Sequence, residues 1–312
     1  MKRAAVFLGV LVLSIGAGAG AQTTQQTPAA SGQSASGQSS PTQSAPAQSS
    51  PAQSGAQTTA PGGTAAAPLG KRPPQAKTQP EFDAYKTAAA STDPAALEKA
   101  ADEFATKFPD SELRNLLYKN AMRLYQNANN TDKTEAMGRK VLGFDADDPE
   151  ALVIVAEVMA ERTRETDIDK DQKFSEAAAM AQKATQTIET DVQVPQGTPQ
   201  DKIEAYKSMM RSQAYSIIGT IDFKKENYPS AEQNLQKSID AYPSDPDKVV
   251  ILRLALTLDK EQKYPEALKV ANRAVEMTQD NTPIGTPARH ERDRLQQLTG
   301  AAPTPSQTPP KN

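Results

Sequence analysis

From residue 79 to about residue 300, apolar side chains recur at steps of three and four, the period of an α-helix. Leu113, Leu117, Ala121 and Leu124 form one such series, and Ile251, Leu254, Ala255 and Leu258 another. Ala, Leu, Glu, Lys and Gln are prominent here, glycine is scarce and the prolines are spaced, so the series predict many separate helices. They fall in pairs. Phe82 and Tyr85 share a helix whose partner carries Ala100, Phe104 and Phe108 and closes at Phe108-Pro109-Asp110-Ser111. The Leu113 series pairs with Ala136, Val141 and Leu142 across a loop at 127–131. Leu152, Val155, Ala156 and Met159 pair with Phe174, Ala177, Ala181 and Ala184 after an extension at 162–170. Residues 191–200 include Val194-Pro195-Gln196-Gly197-Thr198-Pro199, which is unsuited to helix. This stretch reads as a loop between the third and fourth pairs or, alternatively, as a boundary between two sub-arrays. A last helix at 286–298, charged along one side, fits a solubilising cap.

The fourth and fifth pairs carry a fixed register. In residues 212–243, Tyr215, Ile218 and Gly219 are followed by Tyr228, Ala231, Leu235 and Pro243. In residues 248–279, Leu254, Tyr264, Ala267 and Ala271 repeat these positions with a constant offset of about 36 residues. Gly219 and Ala231 are small enough for two antiparallel helices to approach closely. Tyr215, Ile218 and Leu235 fill the space beside them, and Pro243 cannot continue a helix.

This order resembles the tetratricopeptide repeat: a large residue, a Leu-Gly-like step, a small alanine, a bulky residue and a closing proline. Asp222 departs from it, standing where the family usually has an aromatic residue, with Phe223 one later. The Phe-Pro-Asp-Ser closure of the first pair resembles turns of exported bacterial proteins of this type. The resemblance implies an all-α fold, a right-handed superhelical solenoid of about five antiparallel helix pairs plus a cap over residues 79–300. It also implies that the first helix of each pair lines a concave face that holds a protein or peptide partner. In that frame the candidate contact residues are Asn115, Tyr118, Met122 and Tyr125 on the second pair and Glu157 on the third. The fourth pair offers Gln213, Ser216, Thr220, Phe223 and Lys224, and the fifth Val249, Leu252 and Leu256.

Each set has a plainer reading beside it. Tyr118, Met122 and Tyr125 make an adaptable aromatic strip, or they are ordinary repeat packing. Val249, Leu252 and Leu256 make their helix apolar nearly all round, so it is covered on both sides, by the C-terminal segment or else by a partner. Glu150, Glu157 and Glu161 could receive a basic ligand, with a solvated face as the simpler expectation. The clamp of Lys, Asn and Arg with which some tetratricopeptide domains hold a chaperone's terminal carboxylate is absent. Asn115, Tyr118, Gln213 and Ser216 occupy those positions, and that ligand is not expected.

The ends change the picture. Residues 1–21 read as a secretory signal: Lys2 and Arg3, then an apolar run from Ala4 to Ile15, then Ala19-Gly20-Ala21 before Gln22. That run is too short to span a membrane, which takes roughly 20 residues; an uncleaved anchor or a buried helix is the alternative. Residues 22–70 contain no charged side chain and are built from Gln, Ser, Ala, Thr, Pro and Gly, so residues 22–78 are expected to form a disordered tether. Residues 301–312 are expected to be a disordered tail. The chain is therefore expected to be exported, to the periplasm or cell envelope or beyond, with no stable transmembrane segment after cleavage.

Composition also removes chemistry. Cysteine is absent and His290 is the single histidine, which excludes disulfides, thiolate nucleophiles and multi-histidine metal sites. Residues 79–300 hold 29 basic and 38 acidic side chains, a net −9. This argues against nucleic acid and mildly favours a neutral or basic partner. No phosphate-binding glycine loop, nucleophile elbow or His-Glu-x-x-His occurs. Asp167, Asp169 and Asp171 alternate as in a calcium loop but lack its glycine and closing glutamate. The expected function is that of a scaffold or adaptor without catalysis, cofactor or metal. A structural or ligand-binding wall component on a long neutral tether is the alternative. N-terminal sequencing of the protein recovered from its producing cell is expected to start at Gln22; a start at Met1 would leave the segment uncleaved.

Overall fold

The computed structural model describes residues 71–194 and 197–300. The expected signal, most of the expected tether and the expected tail lie outside these residues, as do Pro195 and Gln196. The described residues form eleven α-helices and one isolated backbone bridge, with no strand. α1 (Gln79–Ala89) pairs with α2 (Pro94–Lys107), and α3 (Leu113–Asn127) with α4 (Thr131–Phe144). α5 (Pro149–Arg162) pairs with α6 (Lys170–Asp191), and α7 (Gln200–Lys224) with α8 (Tyr228–Ala241). α9 (Lys248–Lys260) pairs with α10 (Tyr264–Glu276), and α11 (Gly285–Thr299) closes the array. None of these helices is long and apolar enough to cross a membrane.

Local chemistry sets the helix ends. Thr78 caps α1 in a reciprocal capping box with Glu81, and Asp93, Asp148 and Asp247 cap α2, α5 and α9 through their carboxylates. The turns inside the second, fourth and fifth pairs are built alike. Asn129, Glu226 and Gln262 each take a left-handed conformation, with φ between 55° and 61°. The next residue's N–H reaches back five positions to Tyr125, Asp222 and Leu258, at 2.9 Å in each case. That is a Schellman closure made without glycine. It repeats at the offset of 36 residues between the fourth and fifth pairs.

Alanine and glycine dictate how closely the helices approach. Ala101, Ala121, Ala177, Ala181, Ala184, Ala231, Ala267, Ala271 and Ala274 are completely buried where helices cross. A Cβ on Gly219 would lie 2.8 Å from Leu235 Cγ and 3.0 Å from the Leu235 backbone nitrogen, so α7 and α8 touch there backbone to side chain. Consecutive helices pack side by side from α1 to α11. Among the first helices, α1 also touches α3, α5 touches α7 and α7 touches α9, whereas the second helices make no comparable contact with one another. The first helices therefore lie on the inner side of the curve. The architecture is that of a tetratricopeptide-type array.

Three features differ from the expectations. α7 begins at Gln200, three turns before the start of the predicted repeat, because α6 runs 22 residues and needs an equally long partner; Ile203, Lys207 and Met210 are buried on that extension. The helix that is apolar all round is α5 as much as α9: ten of its fourteen residues are buried, between α4, α6 and α7. Residues 71–78, expected to belong to the tether, lie extended against the array and bond to it. Their three basic side chains find carboxylates or a carbonyl on the inter-pair turns.

Gly219→Val is expected to lower stability by about 1–3 kcal/mol through overpacking against Leu235. Gly143, in α4 with nothing near the position of its absent Cβ, is expected to gain about 0.5–1 kcal/mol as Ala. Urea unfolding of both variants checks the pair.

Candidate functional site

The second pair does not present the open aromatic strip expected of it. Tyr118, Met122 and Tyr125 are buried in the joint between α2, α3 and α4. Tyr118 donates its hydroxyl proton to Asp102 Oδ1 at 2.7 Å, and its ring stacks on Phe144 with centroids 5.7 Å apart. Tyr125 donates to Glu98 Oε2 at 2.6 Å. Burial and that carboxylate push the Tyr125 phenol up to about 12. Asn115 is buried as well. The reason is geometric: α2 carries carboxylates at Glu98 and Asp102, one turn apart, and each takes a tyrosine hydroxyl from α3. These four candidates are interior packing.

The polar residues between α3, α5 and α7 form a joint instead. Lys119 and Asp148 are ion-paired with side-chain exposures of 6% and 1%. Asp148 also accepts the Ala151 N–H at 3.0 Å, so one carboxylate both caps α5 and neutralises α3. Arg123 grips Glu150 with two hydrogen bonds, of 2.5 and 2.6 Å, and Tyr206 on the α7 extension donates to the same carboxylate. Burial opposes the charge on Glu150, but the Arg123 charge and hydrogen bonds outweigh it and hold the carboxyl below its usual range. Glu150, expected on a solvated acidic strip, is thus consumed internally. Sequence reasoning missed Lys119, Arg123 and Tyr206. Lys119 and Arg123 are one turn apart on α3, but that spacing alone does not say that two carboxylates and a phenol face them.

The inner face is more open along α5, α7 and α9. Glu157 is partly exposed and has no hydrogen-bond partner among the described residues. Burial first, then the charges of Glu161 and of Asp247 at the start of α9, raise its carboxyl to about 7. Gln213, Ser216 and Thr220 on α7 and Val249 and Leu256 on α9 are partly exposed, while Leu252 is buried. Arg253 on α9 donates to Thr220 Oγ1 at 2.7 Å and ties the two helices across the groove. Lys224 is engaged: it donates to the Ala160 carbonyl at 2.6 Å at the end of α5 and lies over the Phe174 ring. Phe223 packs edge-on against Tyr228 and is a hinge contact of its own pair. Glu157, Gln213, Ser216, Thr220, Val249 and Leu256 thus remain partly exposed, and the rest of the candidates are drawn into packing. Asp167 and Asp169 both pair with Lys173, and no group of three metal-ligating side chains forms among the described residues.

No known family model matches the sequence, and no curated protein matches it. Among solved structures it is similar to MamA, at 14% identity over 60% of this chain and 83% of that one, with a TM-score of 0.41. YrrB, described as a TPR protein with an unusual peptide-binding site, is 18% identical over 64% of this chain and 86% of that one, with a TM-score of 0.43. TTC0263, a thermophilic TPR protein of Thermus thermophilus, is 12% identical over 70% of this chain and all of that one, with a TM-score of 0.40. At such identities and superpositions, the fold rests on the chain's own repeat geometry.

Lys119→Met is expected to cost about 3–5 kcal/mol, because it strands Asp148 as a buried unpaired charge. Adding Asp148→Asn is expected to recover most of that loss, since asparagine caps a helix as well as aspartate does. Urea denaturation of the single and double variants reads the difference; a double variant no more stable than the single would mean that the charge is not what Lys119 answers.

Proposed function

We propose that this chain is an exported, non-catalytic scaffold of the cell envelope that docks a segment of another protein along the inner face of α5, α7 and α9. One observation carries the reading: on this stretch of the inner face, exposed side chains are left over from internal pairing. Glu157 faces only the carboxylates Glu161 and Asp247 among the charges that act on it, and Gln213, Ser216, Val249 and Leu256 on α7 and α9 are partly exposed. An alternation of polar and apolar groups on a rigid, curved wall suits an extended or helical segment, which needs both anchors and register. The net −9 of residues 79–300 favours a neutral or basic segment. Export rests on the reading of residues 1–21, and the docking role on the repeat geometry.

Glu157 supplies a pH signature. In the unfolded chain it ionises near 4.5, and in the folded protein near 7. Between those values the folded state holds the extra proton, so the carboxyl's penalty on stability grows as pH rises through this window and is complete above about 7. Glu157→Gln is therefore expected to stabilise the protein above pH 7 and to match the parent below 4.5, as read by urea unfolding across the range.

The direct test is affinity capture from envelope extract with the full chain and with a Gln213→Lys/Val249→Lys variant of unchanged helicity and melting. One dominant protein, retained by the parent and lost by the variant, is the expected result. Equal capture by both would remove the site from this face, and no captured protein would overturn the scaffold reading.

A further inference from the structure

The turns that lead from one pair to the next share one edge of the array, and that edge is acidic. Asp110 and Glu112 lie on the turn before α3, Asp145 and Asp147 on the turn before α5, and Asp191 at the end of α6; of these, Asp147 is already paired with Lys183 of α6. Residues 71–78 run along this edge with three basic side chains and no acidic one. Lys71 donates its backbone N–H to the Val192 carbonyl at 3.0 Å, bridging in parallel to Gln193, and its ammonium to Asp145 Oδ2 at 2.7 Å. Arg72 takes both oxygens of Glu112 at 2.9 Å, and the Gln75 N–H donates to the same carboxylate at 3.2 Å. Lys77 donates its ammonium to the Asp110 carbonyl at 2.8 Å. Eight residues thereby touch three successive inter-pair turns.

The two ends of this strap are held differently. At Thr78 the chain is anchored by Glu81, a buried carboxylate that accepts the N–H groups of Lys77 and Thr78 and the Ser111 hydroxyl. At the other end, beyond the single Lys71–Val192 backbone bond, the contacts are ionic. The Arg72 and Glu112 side chains are 59% and 45% exposed, and Lys71 is 40% exposed against an Asp145 that is 13% exposed. Little apolar surface backs them beyond Ala76, which packs on the first core cluster. Pro73 and Pro74 keep the segment extended and have no N–H to offer to a helix.

We propose that the acidic edge is a docking rim for an extended basic segment, occupied in this chain by its own residues 71–78, and that this strap is a clasp that pivots at Thr78 and opens from Lys71. Closed, it ties the turn before α5 to the loop before α7, the place where the regular repeat is interrupted. Open, it frees that loop and uncovers the Glu112 and Asp145 carboxylates. Exposed pairs of this kind weaken as salt shortens the reach of charge, so ionic strength shifts the clasp toward the open form.

Hydrogen exchange of the Lys71 amide in the full chain tests the clasp. Protection above that of unstructured chain is expected at about 0.1 M salt. It should fall about tenfold or more at about 1 M, where the Debye length drops to about 3 Å. Arg72→Glu is expected to abolish the protection at low salt, and Arg72→Glu/Glu112→Arg to restore it, with helical signal and melting unchanged in both. A Lys71 amide that exchanges freely in the parent would overturn the proposal. So would protection that survives Arg72→Glu, ignores salt, or fails to return in the charge-swapped pair.

Discussion

Close approach of helix to helix, at crossings where nothing larger than a methyl group fits, is the constraint on which the rest of this protein depends. Each pair has an apolar face that it cannot bury alone. Stacking buries it only if the backbones come near enough for a second layer of side chains to interlock. The completely buried alanines of α6, α8 and α10, together with Gly219, set that distance. Phe174, Leu235 and Ile251 then fill the space alongside, and the core runs as three successive apolar clusters, the first two of which meet at Leu142. Volume at a handful of small positions thus governs where every first helix stands, and so what the inner face can present.

The inner face is uneven, and its unevenness has a charge-based cause. Around α3 and the start of α5 it is closed by the Lys119–Asp148 and Arg123–Glu150–Tyr206 contacts. A partly sheltered cation and anion satisfy one another there, leaving little for a partner. Past the middle of α5 the balance shifts to carboxylates, with Glu161 and Asp247 close enough to raise the protonation of Glu157. Arg253 crosses this region and holds α9 to α7 through Thr220. The same kinds of side chain therefore make a rigid joint at one end and an accessible wall at the other, according to whether opposite or like charges meet.

Much of the fold was legible in the chain. The helical period, the paired spacing, the interruption at 191–200 and the constant offset between the last two pairs are all local properties, and local sequence carries them. The length of α7 was not legible, because its first three turns are held by α6 and not by a repeat motif. The binding candidates divided for the same reason. A helix wheel tells which residues share a face, so Tyr118, Met122 and Tyr125 were rightly grouped; it cannot tell that Glu98 and Asp102 wait on α2 to take the two hydroxyls. The role of residues 71–78 was hidden too, since short basic and proline-rich stretches look alike whether or not carboxylates lie within reach.

By itself the sequence determined an all-helical array, its repeat, the positions where small residues admit close packing, and the absence of thiol and multi-histidine chemistry. Those follow from backbone propensity, side-chain volume and composition, which act over a few residues. Tertiary structure alone decided which charged groups are spent on one another and which face solvent, and that the basic strap closes on an acidic edge. Coulomb energy and burial depend on distances between residues tens of positions apart, and those distances exist only once the pairs have stacked.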